Sequence, residues 1–137
     1  MNNEPPEKYP HADITEKVIG CAHRVHRKLG SGFLEKVYEN AMVIELEKLG
    51  LKVAQQYPLN VVYDGKVIGE YFADLLVEDK VIVELKAVSE LAPIHEVQLV
   101  NYLRATGIEV GLLINFSENV NVKRRVLAKS KVKLFQY

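Results

Sequence analysis

The sequence predicts an α/β fold with a mixed central sheet of about four strands and helices on both of its faces. Three observations support this prediction. Apolar residues recur at helical spacing over residues 14–44, they alternate at strand spacing over residues 51–86, and a further helical stretch leads into an apolar strand. The predicted order is α, α, β, β, β, α, β, followed by a basic segment that fits either a strand or a helix.

The composition is that of a globular protein of one domain. The chain has 137 residues, of which 48% are hydrophobic and 26% are charged. We expect the polar, proline-rich residues 1–11 to form a flexible arm and residues 12–137 to form the domain. The sequence contains no apolar run as long as a signal peptide or a membrane span, and the single cysteine, Cys21, cannot form an internal disulfide. We therefore expect a cytoplasmic protein without membrane contact.

Two helices are predicted before the first strand. Asp13 and Glu16 have the spacing of a capping box, and Gly30 is expected to end the helix that follows them. Its apolar face would comprise Ile14, Val18, Cys21, Ala22, Val25 and Leu29. A second helix would end at Gly50. Its apolar face would comprise Phe33, Val37, Ala41 and Ile44.

Turn residues divide the middle of the chain into strands. The first strand covers residues 51–62, where Pro58 predicts a bulge or a break, and Asp64-Gly65 predicts a tight hairpin turn. The second strand covers residues 67–77, and a turn at residues 78–80 leads into the third, VIVELK, at residues 81–86. Pro93 and Gly107 mark the limits of a third helix before the strand at residues 110–116. The apolar face of this helix would comprise Ile94, Val97, Val100 and Leu103.

Charged residues within the apolar third strand define a candidate site. If Val77 pairs with Val81, Asp74 lies opposite Glu84, and Lys86 shares their face. The same register would collect Ala73, Leu75, Val83 and Leu85 on the opposite, apolar face. Two adjacent carboxylates repel each other unless a cation lies between them, and this favours a divalent metal. Taken alone, a Glu-x-Lys pattern is also common in ordinary strands.

The order of these motifs resembles that of the PD-(D/E)xK phosphodiesterase superfamily. In that superfamily an Asp on one strand and an Asp/Glu-x-Lys on the next form the metal site, and the matching residues here are Asp74, Glu84 and Lys86. The segment GFLEKVY at residues 32–38 also resembles the signature of the GxxExxY family of small predicted nucleases. The likeness extends over about residues 14–127 and implies a restriction-endonuclease-like αβββαβ core. Ala73 stands where the nominal pattern has proline, at a position that varies among relatives.

The resemblance implies a catalytic centre that uses Mg²⁺ or Mn²⁺. Asp74 and Glu84 would bind the metal together with the backbone carbonyl of Leu85. Lys86 would position the attacking water, and Glu35 would complete the acidic cluster. Without the resemblance, Glu35 would be interpreted as a solvated helix carboxylate.

Further residues of the predicted helices have supporting roles in this interpretation. Tyr38 lies one helical turn from Glu35 and serves either packing or the site. Gln98 and Tyr102 match the QxxxY motif of RecB-like exonucleases, and His95 shares their helix face. The alternative for this polar face is simple exposure to solvent.

The charge is distributed unevenly along the chain. Residues 1–118 carry 12 Lys/Arg against 18 Asp/Glu, whereas residues 119–137 carry six basic residues and no acidic one. Lys123, Arg124 and Arg125 are therefore candidates for contacts with nucleic-acid phosphates, with a solvated charge run as the alternative.

Together, the motifs predict metal-dependent phosphodiester hydrolysis of DNA or RNA. In so small a chain, a homodimer or a separate recognition partner would supply further substrate contacts. The alternative is a non-catalytic nucleic-acid-binding or adaptor protein that keeps the nuclease fold. ATPase and esterase functions have no support, because the sequence shows neither a P-loop nor a Ser-His-Asp arrangement.

Overall fold

The computed structural model describes residues 9–127, which form three helices and one five-stranded sheet. The elements are α1 (Ala12–Leu29), α2 (Glu35–Lys48), β1 (Val53–Tyr63), β2 (Lys66–Val77), β3 (Val81–Lys86), α3 (Pro93–Thr106), β4 (Val110–Phe116) and β5 (Val120–Val126). The strand order is β1-β2-β3-β4-β5, and only the β3–β4 pair, which α3 connects, is parallel. The predicted mixed α/β fold is confirmed, with β5 added from the basic segment. Between residues 9 and 127, no helix is long and apolar enough to cross a membrane.

Two apolar layers confirm that helices cover both faces of the sheet. The first layer lies between the sheet and helices α1 and α2, and it includes Leu75, Val83 and Leu85. The second lies between the sheet and α3, and it includes Leu76 and Ile82. β3 is buried in both layers, as expected for a strand with a parallel neighbour.

The hairpin of β1 and β2 contains the predicted turn but not the predicted break. Asp64 and Gly65 have φ angles of 50° and 75°, as a two-residue hairpin loop requires. Pro58 lies within β1 without ending it. The prediction of a bulge or a break at Pro58 was wrong, because β1 is an edge strand and a proline N atom can face its unpaired side. The register instead shifts between Val61 and Val62.

The side-chain alternation of β2 changes at Asp74. Gln55 pairs with Leu75 and Tyr57 pairs with Ala73, which places Gln56 opposite Asp74. Gln56 has a φ of 52°, a left-handed conformation that interrupts the strand geometry. At this level of the sheet, Ala73 packs in the α3 layer and not, as predicted, on the face of Leu75.

The predicted apolar face of α1 is confirmed, whereas its predicted start is wrong. The helix begins after His11, so Asp13 lies in the first turn and is not the N-cap residue. The six predicted apolar residues all lie in or against the first apolar layer. Residues 1–8, most of the expected flexible arm, lie outside the described residues.

The predicted apolar faces of α2 and α3 are only partly correct. Val37 and Ile44 of α2 are exposed, as are Ile94 and Val97 of α3. The buried residues of α2 are Tyr38, Glu39, Met42, Glu45 and Leu46, and those of α3 are Leu99, Tyr102 and Leu103. The α2 pattern was misleading because acidic residues of that helix are buried through polar partners, among them the lysines that bind Glu45.

Candidate active site

Asp74 and Glu84 lie where the regular pairing of β2 and β3 ends. The predicted pairing of Val77 with Val81 is confirmed, and the ladder continues as far as Leu75 and Val83. Beyond it, the backbone N–H of Asp74 donates to Oε2 of Glu84 at 2.7 Å. The backbone N–H of Leu85 donates to Oδ2 of Asp74 at 2.8 Å. Each carboxylate therefore accepts a hydrogen bond from the opposite strand, and the two side chains are held beside each other.

Burial makes the ionised form of Glu84 unfavourable. The residue is 6% exposed, and desolvation, followed by the charge of Asp74, raises its pKa to about 8. The hydrogen bond from the Asp74 N–H and the charge of Lys86 act in the opposite direction. Negative charge at this position is therefore incompletely compensated, and a bound cation would stabilise it.

The ionised form of Asp74 is also unfavourable. Burial raises its pKa, and the charges of Glu39 and Glu35 raise it further. Its hydrogen bonds with the Leu85 N–H and the Gln56 amide favour the ionised form. Carboxylates of β2, β3 and α2 thus form one acidic centre.

Glu39 of α2 is a residue of this centre that the sequence did not reveal. It is 4% exposed, and its Oε1 accepts a hydrogen bond from Nε2 of Gln56 at 2.9 Å. The same Nε2 lies 3.4 Å from Oδ1 of Asp74, so Gln56 bridges the two carboxylates. Lys36 and Gln55 bind the other oxygen of Glu39. The sequence did contain one indication that Glu39 is buried: its helical spacing places it on the same face of α2 as Met42 and Leu46.

Glu35, the acidic residue expected to complete the cluster, is exposed at the start of α2. In the part of the chain that the structure describes, no group of three or more His, Cys, Asp or Glu side chains is arranged to hold a metal ion. Asp74 and Glu84 nevertheless offer the hard oxygen donors that Mg²⁺ prefers. Mg²⁺ commonly binds one or two carboxylates and completes its shell with waters and substrate phosphates. The donor set therefore fits such an ion.

Lys86 ends β3 on the side of the acidic pair. It is partly exposed, and its charge lowers the pKa of Glu84. Within residues 9–127, its ammonium group has no hydrogen-bond or ion-pair partner. Asn115, its neighbour on β4, binds both backbone groups of Val88 and so fixes the loop that follows β3.

Helix α3 brings Gln98 and Tyr102 to the other side of the centre. Nε2 of Gln98 donates to the hydroxyl oxygen of Tyr102 at 2.9 Å. Burial, followed by the charge of Glu84, raises the pKa of the Tyr102 phenol. The phenol is therefore protonated at neutral pH and lies within electrostatic reach of the acidic pair.

Comparison with known proteins identifies the family of this chain. Residues 12–126 match a family model described as the PD-(D/E)XK nuclease superfamily. The chain belongs to this superfamily. A comparison with curated proteins gave no match.

Solved structures that share the fold of this PD-(D/E)XK protein include the following two. The crystal structure of SSO0001 has a TM-score of 0.53 and 17% sequence identity, and the match covers 72% of this chain and 54% of SSO0001. The chain thus spans about half the length of that protein. The alkaline exonuclease LHK-Exo from Laribacter hongkongensis has a TM-score of 0.51 and 12% identity, with 93% and 79% covered.

Two of the expected supporting residues have structural partners in this PD-(D/E)XK protein. The hydroxyl of Tyr38 donates to the carbonyl of Gly30 at 2.7 Å, and its ring stacks on Phe116 at 4.5 Å. Nδ1 of His95 accepts a hydrogen bond from the backbone N–H of Ala92 at the start of α3. Tyr38 therefore packs the core, and His95 caps the helix.

The three basic residues expected to bind phosphates do not form one patch. Lys123 and Arg125 share one face of β5, whereas Arg124 lies on the other. Arg124 donates to Oγ1 of Thr15 at 3.2 Å, and Arg125 forms an ion pair with Glu96 of α3. The other three basic residues of segment 119–137, Lys129, Lys131 and Lys133, lie outside the described residues.

Proposed function

We propose that this PD-(D/E)XK protein cleaves phosphodiester bonds of nucleic acid at the centre formed by Asp74, Glu84 and Lys86. The observation that carries the proposal is the reciprocal pair of hydrogen bonds that holds Asp74 and Glu84 together beside Lys86. The match of Gly32, Glu35 and Tyr38 to the GxxExxY signature supports assignment to that branch of the superfamily.

A divalent cation, Mg²⁺ or Mn²⁺, is part of this proposal. Asp74 and Glu84 would hold it with the backbone carbonyl of Leu85, and Glu35 would contact it through water. The bound ion would polarise a phosphoryl oxygen and make a water molecule more acidic. The unfavourable desolvation of Glu84 supports the proposal, because a cation would replace the favourable interactions that this carboxylate loses on burial.

The chain's own side chains orient the reacting groups. The Lys86 ammonium would hold the attacking water and stabilise charge that develops on the phosphate. Gln56 and Glu39 would keep the Asp74 carboxylate in one orientation. Tyr102, itself bound by Gln98, would donate its hydroxyl proton in a hydrogen bond to a phosphate oxygen.

Lys123 is a further candidate for a phosphate contact. Lys123 of β5 pairs with Leu113 of β4, and Leu113 pairs in turn with Glu84 of β3. Lys123 and Glu84 are therefore two strand spacings, or roughly 10 Å, apart. Its side chain is exposed. The proposal includes both DNA and RNA as substrates. A homodimer or a partner protein would enlarge the surface that binds the nucleic acid.

A nuclease assay with single- and double-stranded DNA and RNA tests the proposal. We expect cleavage with Mg²⁺ or Mn²⁺ and none with EDTA. Lys86→Ala should lower the rate at least about 100-fold with little change in substrate affinity. The matched control is Lys80→Ala, an exposed lysine in the turn before β3, purified in the same way. No cleavage of any substrate by the wild type, with retained binding, would favour the non-catalytic alternative.

A further inference from the structure

We propose that a cleft between α3 and the β1–β2 hairpin holds an unpaired nucleobase of the substrate, next to the acidic centre. This inference rests on the proposed nuclease function. The cleft, about 430 Å³ in volume, is lined by Tyr71 of β2 and by Ile94, Val97, Gln98, Asn101 and Tyr102 of α3. We refer to it as the base cleft.

The lining of the base cleft suits a flat ring with polar edges. The rings of Tyr71 and Tyr102 lie 5.8 Å apart at an angle of 46°, and Tyr71 is 45% exposed, so its ring is accessible. The side-chain amides of Gln98 and Asn101 also line the cleft, and amides can hydrogen-bond to base edges. The described residues that line the cleft include no charged side chain. A phosphate or metal ion would therefore lack a charged partner there, whereas a base could stack on the tyrosines.

Tyr102 connects the base cleft to the acidic centre. Its ring lines the cleft, and its phenol interacts electrostatically with Glu84 and Asp74. Tyr71 precedes Asp74 by three residues on β2, a distance of roughly 10 Å along a strand. A base in the cleft would consequently belong to a nucleotide at or beside the cleaved linkage.

The occupant must be unpaired, because the bases of an intact duplex are stacked on their neighbours and their pairing edges are occupied. A second copy of this chain is the competing occupant, since Ile94 and Val97 are 64% and 50% exposed. The two amides, together with Tyr102, which lines the cleft and interacts electrostatically with Glu84, favour the nucleobase. The inference therefore predicts a preference for single strands or for ends with separated bases.

Binding to labelled oligonucleotides tests the inference without turnover. Fluorescence anisotropy would be measured in the Lys86→Ala background with a single strand, the same strand carrying one abasic site at successive positions, and the blunt duplex. We expect an abasic site at one or two adjacent positions to weaken binding about tenfold. Tyr71→Leu, which keeps apolar volume and removes the stacking ring, should weaken binding of the intact strand about tenfold and abolish sensitivity to the abasic site.

Two further variants keep the test decisive. Tyr63→Leu is the matched control, because Tyr63 is a 66% exposed tyrosine of the same hairpin that does not line the cleft, and its affinities should equal those of the parent. If Tyr71→Leu does not fold, Asn101→Ala removes an exposed amide from the cleft and should weaken single-strand binding by itself.

The possible results separate this inference from the proposed function. Unchanged affinities in both Tyr71→Leu and Asn101→Ala would overturn the base cleft, even if the wild type is an active nuclease. A second result would also overturn the base cleft: light scattering shows that these variants lose a dimer, and an abasic site at any position leaves the affinity unchanged. The cleft would then be an interface between two copies of this chain. If base-dependent binding is seen but the wild type cleaves nothing, the base cleft stands and the nuclease proposal fails. If no probe binds although the wild type cleaves single strands, the base cleft fails and the nuclease proposal stands; if no probe binds and the wild type cleaves nothing, both fail.

Discussion

In metal-free protein, the fold should lose stability as the pH rises from about 5 to 8, and Glu84→Gln should remove most of this loss. Burial and the Asp74 charge raise the pKa of Glu84 from 4.5 to about 8. Between these two values the folded chain binds more protons than the unfolded chain, so the free energy of unfolding falls with increasing pH. The stabilising contribution of protonated Glu84 is complete below about pH 4.5 and is lost as the pH passes 8.

The size of the effect follows from the displacement of the pKa. One pKa unit corresponds to about 1.4 kcal/mol, so the difference between 4.5 and about 8 sets an upper limit of roughly 5 kcal/mol. Water entry and side-chain relaxation lower the cost of a buried charge, and we expect roughly 2 to 3 kcal/mol. In a domain of this size, this corresponds to roughly 10 °C in melting temperature. The amide introduced by Glu84→Gln keeps a carbonyl oxygen that can accept the Asp74 N–H but carries no charge.

Urea unfolding in EDTA at pH 5, 6, 7 and 8 would measure this effect. Glu84→Gln should match the wild type near pH 5 and exceed it at pH 8. Glu118→Gln, an exposed site in the β4–β5 turn, controls for the general effect of removing a carboxylate. Parallel pH dependences for wild type and Glu84→Gln would refute the reasoning. Mg²⁺ should restore stability to the wild type at pH 8 and have less effect on the variant, because only the wild type keeps both carboxylates.

Three further predictions address the other residues of the site. Asp74→Ala should abolish divalent-ion binding in calorimetry, whereas Asp79→Ala, at an exposed turn position, should bind like the wild type. Gln56→Ala should lower kcat roughly tenfold with little change in KM, because it releases the orientation of Asp74; an unchanged kcat would leave Gln56 a purely structural role. Lys123→Gln should flatten the dependence of log affinity on log salt by about 0.9, measured by anisotropy on a duplex, and an unchanged slope would exclude a phosphate contact.

The parts of the fold that depend on local chemistry could be predicted from the sequence. The Asp64-Gly65 turn needs only residues that accept positive φ, and the structure confirms it. The pairing of Val77 with Val81 follows from the three-residue turn between them and from the apolar alternation on both strands. Because this register is correct, the sequence also identified the side chains that meet at its end, Asp74 and Glu84.

Features that depend on distant partners could not be predicted in this way. Glu39 is polar and lies on a helix whose buried face the pattern did not identify, and its burial depends on Gln55 and Gln56 in another element. The left-handed conformation of Gln56 has no signal in the sequence, and neither has the change of face that places Ala73 in the α3 layer. The conformation of β5 is ambiguous from its residues alone, because its pairing with the buried strand β4 decides it.

The change of face at Asp74 explains how one pair of carboxylates can serve both sides of the sheet. In a regular strand, a side chain at this position would face either the α1–α2 layer or the α3 layer, but not both. Here the ladder of β2 and β3 ends at the pair, and the opposing backbone of β1 departs from strand geometry at Gln56. Glu39 of α2 and Tyr102 of α3 consequently interact with the same two carboxylates from opposite layers. In the proposed nuclease, the end of the ladder is therefore where groups from both layers would act on one phosphodiester.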